Sequence, residues 1–197
     1  MRALARGLRR DARGVTAIEF AFVAPVMLLL LMGMCDLAYR SYVQAMLTGA
    51  MQKAGRDSTI QGASNSTAAL DAKVIGWVRS VAANATYSST RKSYSTFSQI
   101  KPETFVDANS NGTFDVATEC FTDTNGNNSW DADPGTTGQG SANDVVLYKM
   151  TVTYPRLFPL YGMMGWGANQ QLTATTVLKN QPWAAQSVYT SRQVCPT

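Results

Sequence analysis

The chain has 197 residues, which allows one ordinary domain with an appendage but not two domains together with a membrane segment. Its formal net charge of +4 is explained by the first fourteen residues, which contain five arginines against the single acid Asp11. The rest of the chain is neutral, and a neutral body lacks the basic surface that nucleic-acid phosphates require. We therefore exclude nucleic-acid binding.

The composition also argues against an enzyme. The chain has no histidine, which is the commonest general base and metal ligand. It also lacks a nucleophile elbow and a phosphate-binding glycine loop, and its acids cluster in patterns typical of cation-binding loops. We therefore predict a non-enzymatic protein.

A long apolar segment runs from Val15 to Ala38. As a helix it would measure about 36 Å, which is enough to cross the hydrocarbon core of a bilayer. The arginines before it place the N-terminus in the cytoplasm, so that everything after Arg40 lies on the far side. The helical pattern continues to about Ser58, and the spacing of Asp36 and Arg40 allows them to pair along it.

Glu19 is an acid inside this apolar run. A charge there costs at least about 2–3 kcal/mol unless it finds a partner. Glu19 is therefore either a functional residue or a carboxylate that reaches water at the membrane surface. The residues by themselves leave both readings open.

The leader and the helix resemble the TadE-like minor pilins, or pseudopilins, of the tight-adherence (Tad) type IV pilus. The resemblance rests on three arginines of the leader, on the motif that follows them and on a proline-containing apolar run. These residues are Arg9, Arg10 and Arg13, the segment GVTAIEF at 14–20, and the run around Pro25.

The resemblance implies that a prepilin peptidase cuts between Gly14 and Val15, so that Glu19 becomes the fifth and Phe20 the sixth residue of the mature chain. The new ammonium group on Val15 could then pair with Glu19 of a neighbouring subunit. The implied function is that of a minor pilin or pseudopilin in the assembly of a Tad-type pilus for surface adhesion. The implied partners are other pilin subunits, the peptidase and the Tad assembly platform.

The C-terminal part also resembles this family, in which two strands tend to flank a Pro-containing link and a glycine-rich turn. The corresponding segments are TVTYPRLFPL at 151–160, GMMGWG at 162–167 and LTATTVLKN at 172–180, followed by Gln181-Pro182. The implied location is the bacterial inner membrane, with the C-terminal domain in the periplasm or in an extracellular pilus. The alternative is an uncleaved single-pass membrane protein whose exported domain binds calcium or another ligand.

We expect an α+β protein with a cytoplasmic leader (1–14), a transmembrane and extended helix (15–58) and a periplasmic or extracellular domain (59–197). In the exported domain, helical spacing predicts an amphipathic helix at 67–83, and alternation predicts a strand at 143–155. The helix should place Leu70, Val74, Trp77, Val78 and Val81 on one face, and the strand Val146, Tyr148, Met150, Val152 and Tyr154. Residues 172–179 are the expected partner strand in a small antiparallel sheet, whereas 86–98 fits either a strand or a loop.

Two Asp/Asn-rich segments share a repeat in the region 107–133. The first loop is DANSNGTFD (107–115) and the second loop is DTNGNNSWD (123–131), and both carry Asp, Asn, Asn, an aromatic residue and Asp at positions 1, 3, 5, 8 and 9. Alternating oxygen-bearing side chains around a turn are typical of calcium loops. The candidate structural calcium ligands are Asp107, Asn109, Asn111, Asp115, Asp123, Asn125, Asn127, Asp131 and Asp133.

Both loops depart from the calcium pattern. The first has Thr118 where a bidentate glutamate is expected, with Glu119 one residue later. The second has glycine at position 4 and Asn128 at position 6, where glycine is expected. The alternative is a pair of turns in which Asp and Asn side chains cap their own backbone.

The three cysteines fall into two groups. Cys35 lies in the apolar helix, whereas Cys120 and Cys195 lie in polar surroundings. In an oxidising compartment we expect the latter two to form a disulfide that stabilises the fold by about 2–4 kcal/mol. The alternative is two unrelated thiols.

Overall fold

The structure is a computed structural model that describes residues 15–58, 67–181 and 189–196. The predicted leader with Gly14, the link at 59–66 and Pro182 lie outside the described residues. In chain order the elements are α1 (Val15–Ser58), α2 (Thr67–Arg79), β1 (Thr86–Tyr94), a 3-10 turn (Phe97–Gln99), β2 (Phe121–Asp123), β3 (Thr136–Thr137), β4 (Val145–Pro155), α3 (Tyr161–Met164), β5 (Asn169–Lys179) and β6 (Arg192–Val194). This is the predicted α+β architecture.

The chain forms two compact units. The first contains the N-terminal part of the chain up to Tyr42 together with Pro155–Gln170, and the second contains Val43–Tyr154 together with the chain from Gln171 onward. The division falls inside α1, so that this helix contributes to both units. The predicted separation into leader, helix and exported domain stays a prediction.

In the first unit, α1 exposes large apolar side chains from Ile18 to Leu37. Among the described residues, α1 is the one helix that is long and apolar enough to cross a membrane, and its most apolar stretch is not buried at all. Pro25 lies inside the helix without ending it. An apolar surface of this length is covered in a stable protein by lipid or by other apolar helices.

In the second unit, the C-terminal half of α1 is part of the core. Val43, Leu47 and Met51 are almost completely buried, with exposed fractions of 0, 0 and 1%. They recur every four residues, which places them on one face of a helix. The N-terminal half of α1 is therefore exposed and apolar, and its C-terminal half is part of the core of the second unit, within one uninterrupted helix.

The main sheet of the second unit has four strands in the order β3-β1-β4-β5. β1 runs antiparallel to β4 from the pair Thr86↔Thr153 to the pair Tyr94↔Val145. The predicted apolar face of β4 is confirmed, since its alternating residues are buried: Val146, Tyr148, Met150, Val152 and Tyr154. β5 flanks β4, as expected for the partner strand, and the undecided segment is the strand β1.

α2 is shorter than predicted, and its buried face includes the predicted Leu70, Val74 and Val78 but not Trp77. It ends at Arg79, and residues as far as Ala85 continue as hydrogen-bonded turns. The helix buries Leu70, Asp71, Val74, Ile75 and Val78. Trp77, which was expected in the apolar stripe, is 43% exposed and holds the Lys53 ammonium 4.7 Å from its ring.

Candidate functional site

Glu19 and Phe20 lie on the exposed surface of α1, near the N-terminal end of the described helix. The large apolar side chains around them are also exposed, including Phe22 at 77%. The predicted cleavage involves Gly14, which lies outside the described residues, and the Val15 ammonium would form only after that cleavage. The role of Glu19 in subunit contact therefore stays a prediction.

Asp36 lies at the other end of the apolar run and is 8% exposed. Arg156 Nη1 donates a hydrogen bond to Asp36 Oδ2 at 2.8 Å, and Gln170 Nε2 donates to the same oxygen at 3.1 Å. The spacing along the helix had suggested Arg40 as the partner of Asp36. The ion pair with Arg156 instead connects α1 to a segment 120 residues further along the chain.

That segment, Pro155–Gln170, is called here the 155–170 loop, and it belongs to the same unit as Asp36. The Arg156 N–H donates to the Ala168 carbonyl, and Arg156 Nε donates to the Gly167 carbonyl, both at 3.0 Å. The Arg156 guanidinium also lies 5.1 Å from the centre of the Trp166 ring. One arginine therefore closes the base of the loop and joins it to α1.

A second buried ion pair lies inside the other unit. Arg91 Nη2 and Asp71 Oδ1 are 2.5 Å apart, and the Ser89 and Tyr148 hydroxyls also donate to the Asp71 carboxylate at 2.5 Å. Burial alone would raise the pKa of Asp71, but hydrogen bonds from Arg91, Ser89 and Tyr148 outweigh burial and hold that pKa below its usual value. The group joins α2 to β1 and β4, which is a structural role.

The two Asp/Asn loops have the same internal hydrogen bonds. In each loop the Asp at position 1 accepts from the backbone N–H of position 6, at 2.8 Å in the first loop and 3.1 Å in the second. The Asn at position 3 accepts from the N–H of position 5, and the Asn at position 5 accepts from the N–H of position 7. The sequence repeat is therefore a structural repeat.

In each loop the Asp at position 9 accepts hydrogen bonds from both asparagine side chains. Asp115 Oδ2 accepts from Asn109 Nδ2 at 2.7 Å and from Asn111 Nδ2 at 2.9 Å. In the second loop, Asp131 Oδ2 accepts in the same way from the two asparagines at 2.8 and 2.7 Å. In each loop one carboxylate thus accepts from two asparagine amides. The role of these side chains as calcium ligands stays a prediction.

The shared backbone also explains why glycine occupies different positions in the two copies. Positions 4 and 6 have positive φ in both: Ser110 at 59° and Gly112 at 74° in the first loop, Gly126 at 85° and Asn128 at 61° in the second. Glycine adopts such angles without a steric penalty, and Asn tolerates them better than most residues. Each loop therefore needs two residues that accept positive φ, and glycine fills one of the two places.

A buried glutamate accepts hydrogen bonds from the backbone of each loop. Glu119, 1% exposed, accepts from the N–H of position 2 at 2.9 Å and from the N–H of position 9 at 3.0 Å of the first loop. Glu103, 3% exposed, accepts from the same two positions of the second loop at 2.7 and 3.0 Å. No sequence pattern pointed to Glu103, because it precedes its loop whereas Glu119 follows its own.

An aromatic cluster lies beneath the loops. The ring of Phe114 is 5.7 Å from Phe105, 5.4 Å from Phe121 and 5.3 Å from Trp130, measured between ring centres. Phe114 and Trp130 occupy position 8 of their respective loops, so the repeated aromatic residues pack against each other. Trp130 Nε1 also donates to the Glu103 carbonyl at 2.8 Å. The two loops are therefore one packed structure.

The C-terminal tail is attached to the second loop. Cys120 and Cys195 form the predicted disulfide, with an S–S distance of 2.06 Å. Beside the disulfide, β2 and β6 pair antiparallel, from the pair Phe121↔Val194 to the pair Asp123↔Arg192. The Arg192 guanidinium also donates to Asn128 Oδ1. Residues of the tail thus fix the second loop from outside.

Asp133, which was included among the candidate calcium ligands, has other partners. Its carboxylate accepts from Lys92 Nζ at 2.6 Å and from the Tyr94 hydroxyl at 2.7 Å. Over the described part of the chain, no group of three or more His, Cys, Asp or Glu residues is arranged to hold a metal ion. Any ion in these loops would therefore depend on asparagine oxygens as well as carboxylates, and calcium stays a prediction.

A comparison with known protein families gives one match. A model of the TadE-like protein family matches residues 14–56, which include Glu19, Phe20 and the apolar part of α1. Neither the curated proteins nor the solved structures contain a match to this chain. The match relates the chain to the Tad pilus and, together with the apolar helix, indicates association with a membrane. The resemblance is thus confirmed over residues 14–56, which form a TadE-like segment, and the resemblance of the C-terminal part stays a prediction.

Proposed function

We propose that this protein is a membrane-anchored minor pilin or pseudopilin that acts in the assembly of a Tad-type pilus for surface adhesion. The observation that carries the proposal is the exposed apolar surface of α1, which lies within the TadE-like match. In water this surface would be an aggregation hazard, whereas lipid and neighbouring pilin helices both cover it favourably.

Glu19 adds a reason for assembly through this helix. It is the only charged residue between Val15 and Asp36. Within a membrane an unpaired carboxylate is costly, and an ammonium group on the N-terminus of a neighbouring subunit would offset that cost. Cleavage after Gly14 creates such a group on Val15, so processing and assembly would be linked.

The proposed orientation puts the N-terminus in the cytoplasm and the domain with the sheet in the periplasm or in an extracellular pilus. The five leader arginines favour this orientation through the positive-inside rule. The Cys120–Cys195 disulfide is consistent with an oxidising compartment for the domain. The proposed partners are other pilin subunits, the prepilin peptidase and the Tad assembly platform.

The proposal is tested by the mature N-terminus of protein extracted from membranes. We expect mass spectrometry to find a chain that begins at Val15. An intact chain that still carries Met1 to Gly14 would contradict the pilin function. It would favour the alternative, an uncleaved single-pass protein with an exported ligand-binding domain.

A variant separates assembly from anchoring. We expect Glu19→Ala to insert into the membrane normally but to enter pili poorly, because the intermolecular partner of the ammonium is lost. Met34→Ala is the matched control, since Met34 is 69% exposed on the same helix and carries no charge. If Glu19→Ala entered pili normally, the Glu19 carboxylate of the unmodified protein would have no role in assembly and would only be solvated at the membrane surface.

We further propose that the two Asp/Asn loops bind structural calcium with an affinity of the extracellular type. The support is that in each copy the Asp at position 9 gathers two asparagine side chains, while the Asp at position 1 belongs to the same turn. Calcium would require the asparagine amides to turn Oδ1 toward the ion, at the expense of their hydrogen bonds to the backbone. The competing function for the same residues is backbone capping alone.

A further inference from the structure

The 155–170 loop is almost uncharged and presents apolar side chains to the surroundings. Arg156 is its only charged residue, and this guanidinium is paired with Asp36. Four large apolar residues are more than half exposed: Leu157 at 53%, Met163 at 73%, Met164 at 51% and Trp166 at 53%. A water-facing loop would not normally combine so much apolar surface with so little charge.

The position of this loop along α1 is fixed by the ion pair. From Val15 to Asp36 the helix rises about 32 Å at about 1.5 Å per residue. This length matches the hydrocarbon thickness of a bilayer, about 30 Å. If α1 spans the membrane from its N-terminal end, Asp36 lies at the boundary with the far side, and the loop that Arg156 joins to Asp36 lies at the same level.

We propose that the 155–170 loop is a second membrane contact, which inserts its apolar side chains into the lipid leaflet on the far side of the membrane from the N-terminus. The inference rests on the proposed membrane-spanning role of α1. Trp166 and Tyr161 suit this level, because amphipathic aromatic residues are enriched where hydrocarbon meets headgroups.

A groove of ≈ 460 Å³ lies between α1 and the loop within this unit. Most of its lining is apolar, from Leu37 of the helix and Phe158, Tyr161, Met164 and Trp166 of the loop, and the hydrogen-bonded group Asp36, Arg156 and Gln170 also lines it. The apolar lining is suited to lipid chains, while Arg40, which also lines the groove, offers a cation to headgroup phosphates. Lipid is therefore the occupant that the groove and its position favour over a protein segment.

The backbone of the loop is also prepared for an environment with little water. The N–H groups of Met163 and Met164 donate to the Leu160 carbonyl at 3.0 and 3.1 Å, and the Trp166 N–H donates to the Tyr161 carbonyl at 3.0 Å. Internal hydrogen bonds of this kind lower the cost of leaving water. Apart from the single helical turn α3, the loop is irregular, so it belongs in the interfacial zone and not in the hydrocarbon centre.

The test uses the full-length chain in vesicles of phosphatidylethanolamine and phosphatidylglycerol, with Cys35→Ser so that one introduced cysteine carries a nitroxide. The introduced sites are Met163→Cys in the loop, Leu30→Cys in the span and Val116→Cys in the other unit. All three replace exposed apolar side chains, with exposed fractions of 73, 65 and 79%. Collisions of each nitroxide with oxygen, which concentrates in lipid, are compared with collisions with a water-soluble nickel complex.

We expect an oxygen-to-nickel collision ratio at 163 several-fold above that at 116 and somewhat below that at 30. A ratio at 163 equal to that at 116 would overturn the proposal. So would a nitroxide at 163 that neither reagent reaches, because another protein would then cover the loop. Leu157→Cys provides a second loop site should Met163→Cys fail to fold.

The site at 30 separates this inference from the proposed function. A lipid-like ratio at 30 with a water-like ratio at 163 would overturn the loop contact and leave the membrane span intact. A water-like ratio at 30 would contradict the span itself. Asp36→Ala should also increase nitroxide mobility at 163 but not at 116, whereas unchanged mobility at 163 would contradict the tethering role of the ion pair.

Discussion

Glu103 and Glu119 hold equivalent places behind the two Asp/Asn loops, although one precedes its loop in the chain and the other follows its loop. Each carboxylate accepts backbone N–H groups from positions 2 and 9 of its loop. The structural repeat therefore includes Glu103 and Glu119, although these two residues do not occupy the same position in the sequence repeat.

Replacing either glutamate by glutamine should destabilise the domain by about 1–3 kcal/mol, because the new amide nitrogen would face a backbone N–H that has lost its acceptor. Chemical unfolding of Glu103→Gln and Glu119→Gln in detergent would measure the change. Asp57→Asn is the control for loss of a charge, since Asp57 lies near the end of α1 and outside the loops. Losses no larger than in this control would show that the loops do not need their buried carboxylates.

If the loops bind calcium, saturating calcium should raise the melting temperature of the protein, and a chelator should lower it again. An excess of one hundred times the Kd would stabilise the folded state by about 2.7 kcal/mol per site. Asp107→Asn and Asp123→Asn should each reduce the calcium effect, whereas Asp57→Asn should keep it. Identical melting with calcium and with chelator would favour plain turns.

The buried pair Asp71–Arg91 should be essential to folding stability. Asp71→Ala leaves the Arg91 charge buried without its partner, and we expect a loss of about 3–5 kcal/mol. Lys92→Ala is the control, because the Lys92–Asp133 pair is 38% and 45% exposed at its side chains and should contribute about 1 kcal/mol or less. Equal losses in the two variants, measured by urea unfolding, would contradict this difference.

The same cluster predicts how stability depends on pH. The pKa of Asp71 is lowered in the folded state, so its contribution is present above its unfolded pKa of about 3.9 and is lost as pH falls through the folded value. The pKa of Tyr148 is raised, first by burial and then by its hydrogen bond to Asp71, so its contribution is lost as pH rises above about 10.

Unfolding free energies measured from acid to alkaline pH would check both directions. Relative to the unmodified protein, Asp71→Asn should weaken the loss of stability in acid. Tyr148→Phe should weaken the loss in alkali and also reduce part of the loss in acid, because the Tyr148 hydroxyl is one of the donors that lower the pKa of Asp71. Curves that keep the same slopes in all three proteins would show that other groups control the pH dependence.

The C-terminal half of α1 should be part of the folded domain. Leu47→Ala should cost about 2–5 kcal/mol, because it opens a cavity at a fully buried position. Leu37→Ala is the matched control on the same helix, where the side chain is 63% exposed. We also expect a fragment that begins at residue 43 to unfold cooperatively and one that begins at residue 65 not to do so.

Several elements could be predicted from the sequence because the signal is local. The apolar run of α1 needs only composition and length, and the alternation from Val146 to Tyr154 marks the buried face of β4 by its period of two. The Asp/Asn repeat likewise predicts two similar turns. Pairing of Cys120 with Cys195 followed from their shared polar surroundings, which the third cysteine lacks.

Other features depended on residues that meet only after folding. Trp77 has helical spacing with the core residues of α2, yet it is 43% exposed and contacts the Lys53 ammonium. The neighbouring elements decide which side of a broad apolar stripe is buried. β1 gave no clear pattern because its side chains are mostly polar and exposed, and its strand conformation comes from pairing with β4.

The amino-acid sequence alone reveals a long apolar helix preceded by five arginines, a TadE-like motif around Glu19 and a neutral remainder with two Asp/Asn loops. These properties reside in neighbouring residues, where helical and strand periods act directly. Only the tertiary structure decided the partners of the buried charges: Arg156 for Asp36, Arg91 for Asp71, and the loop backbones for Glu103 and Glu119. A buried charge must be satisfied by whichever donor the fold brings within hydrogen-bond distance, and spacing in the chain does not encode that choice.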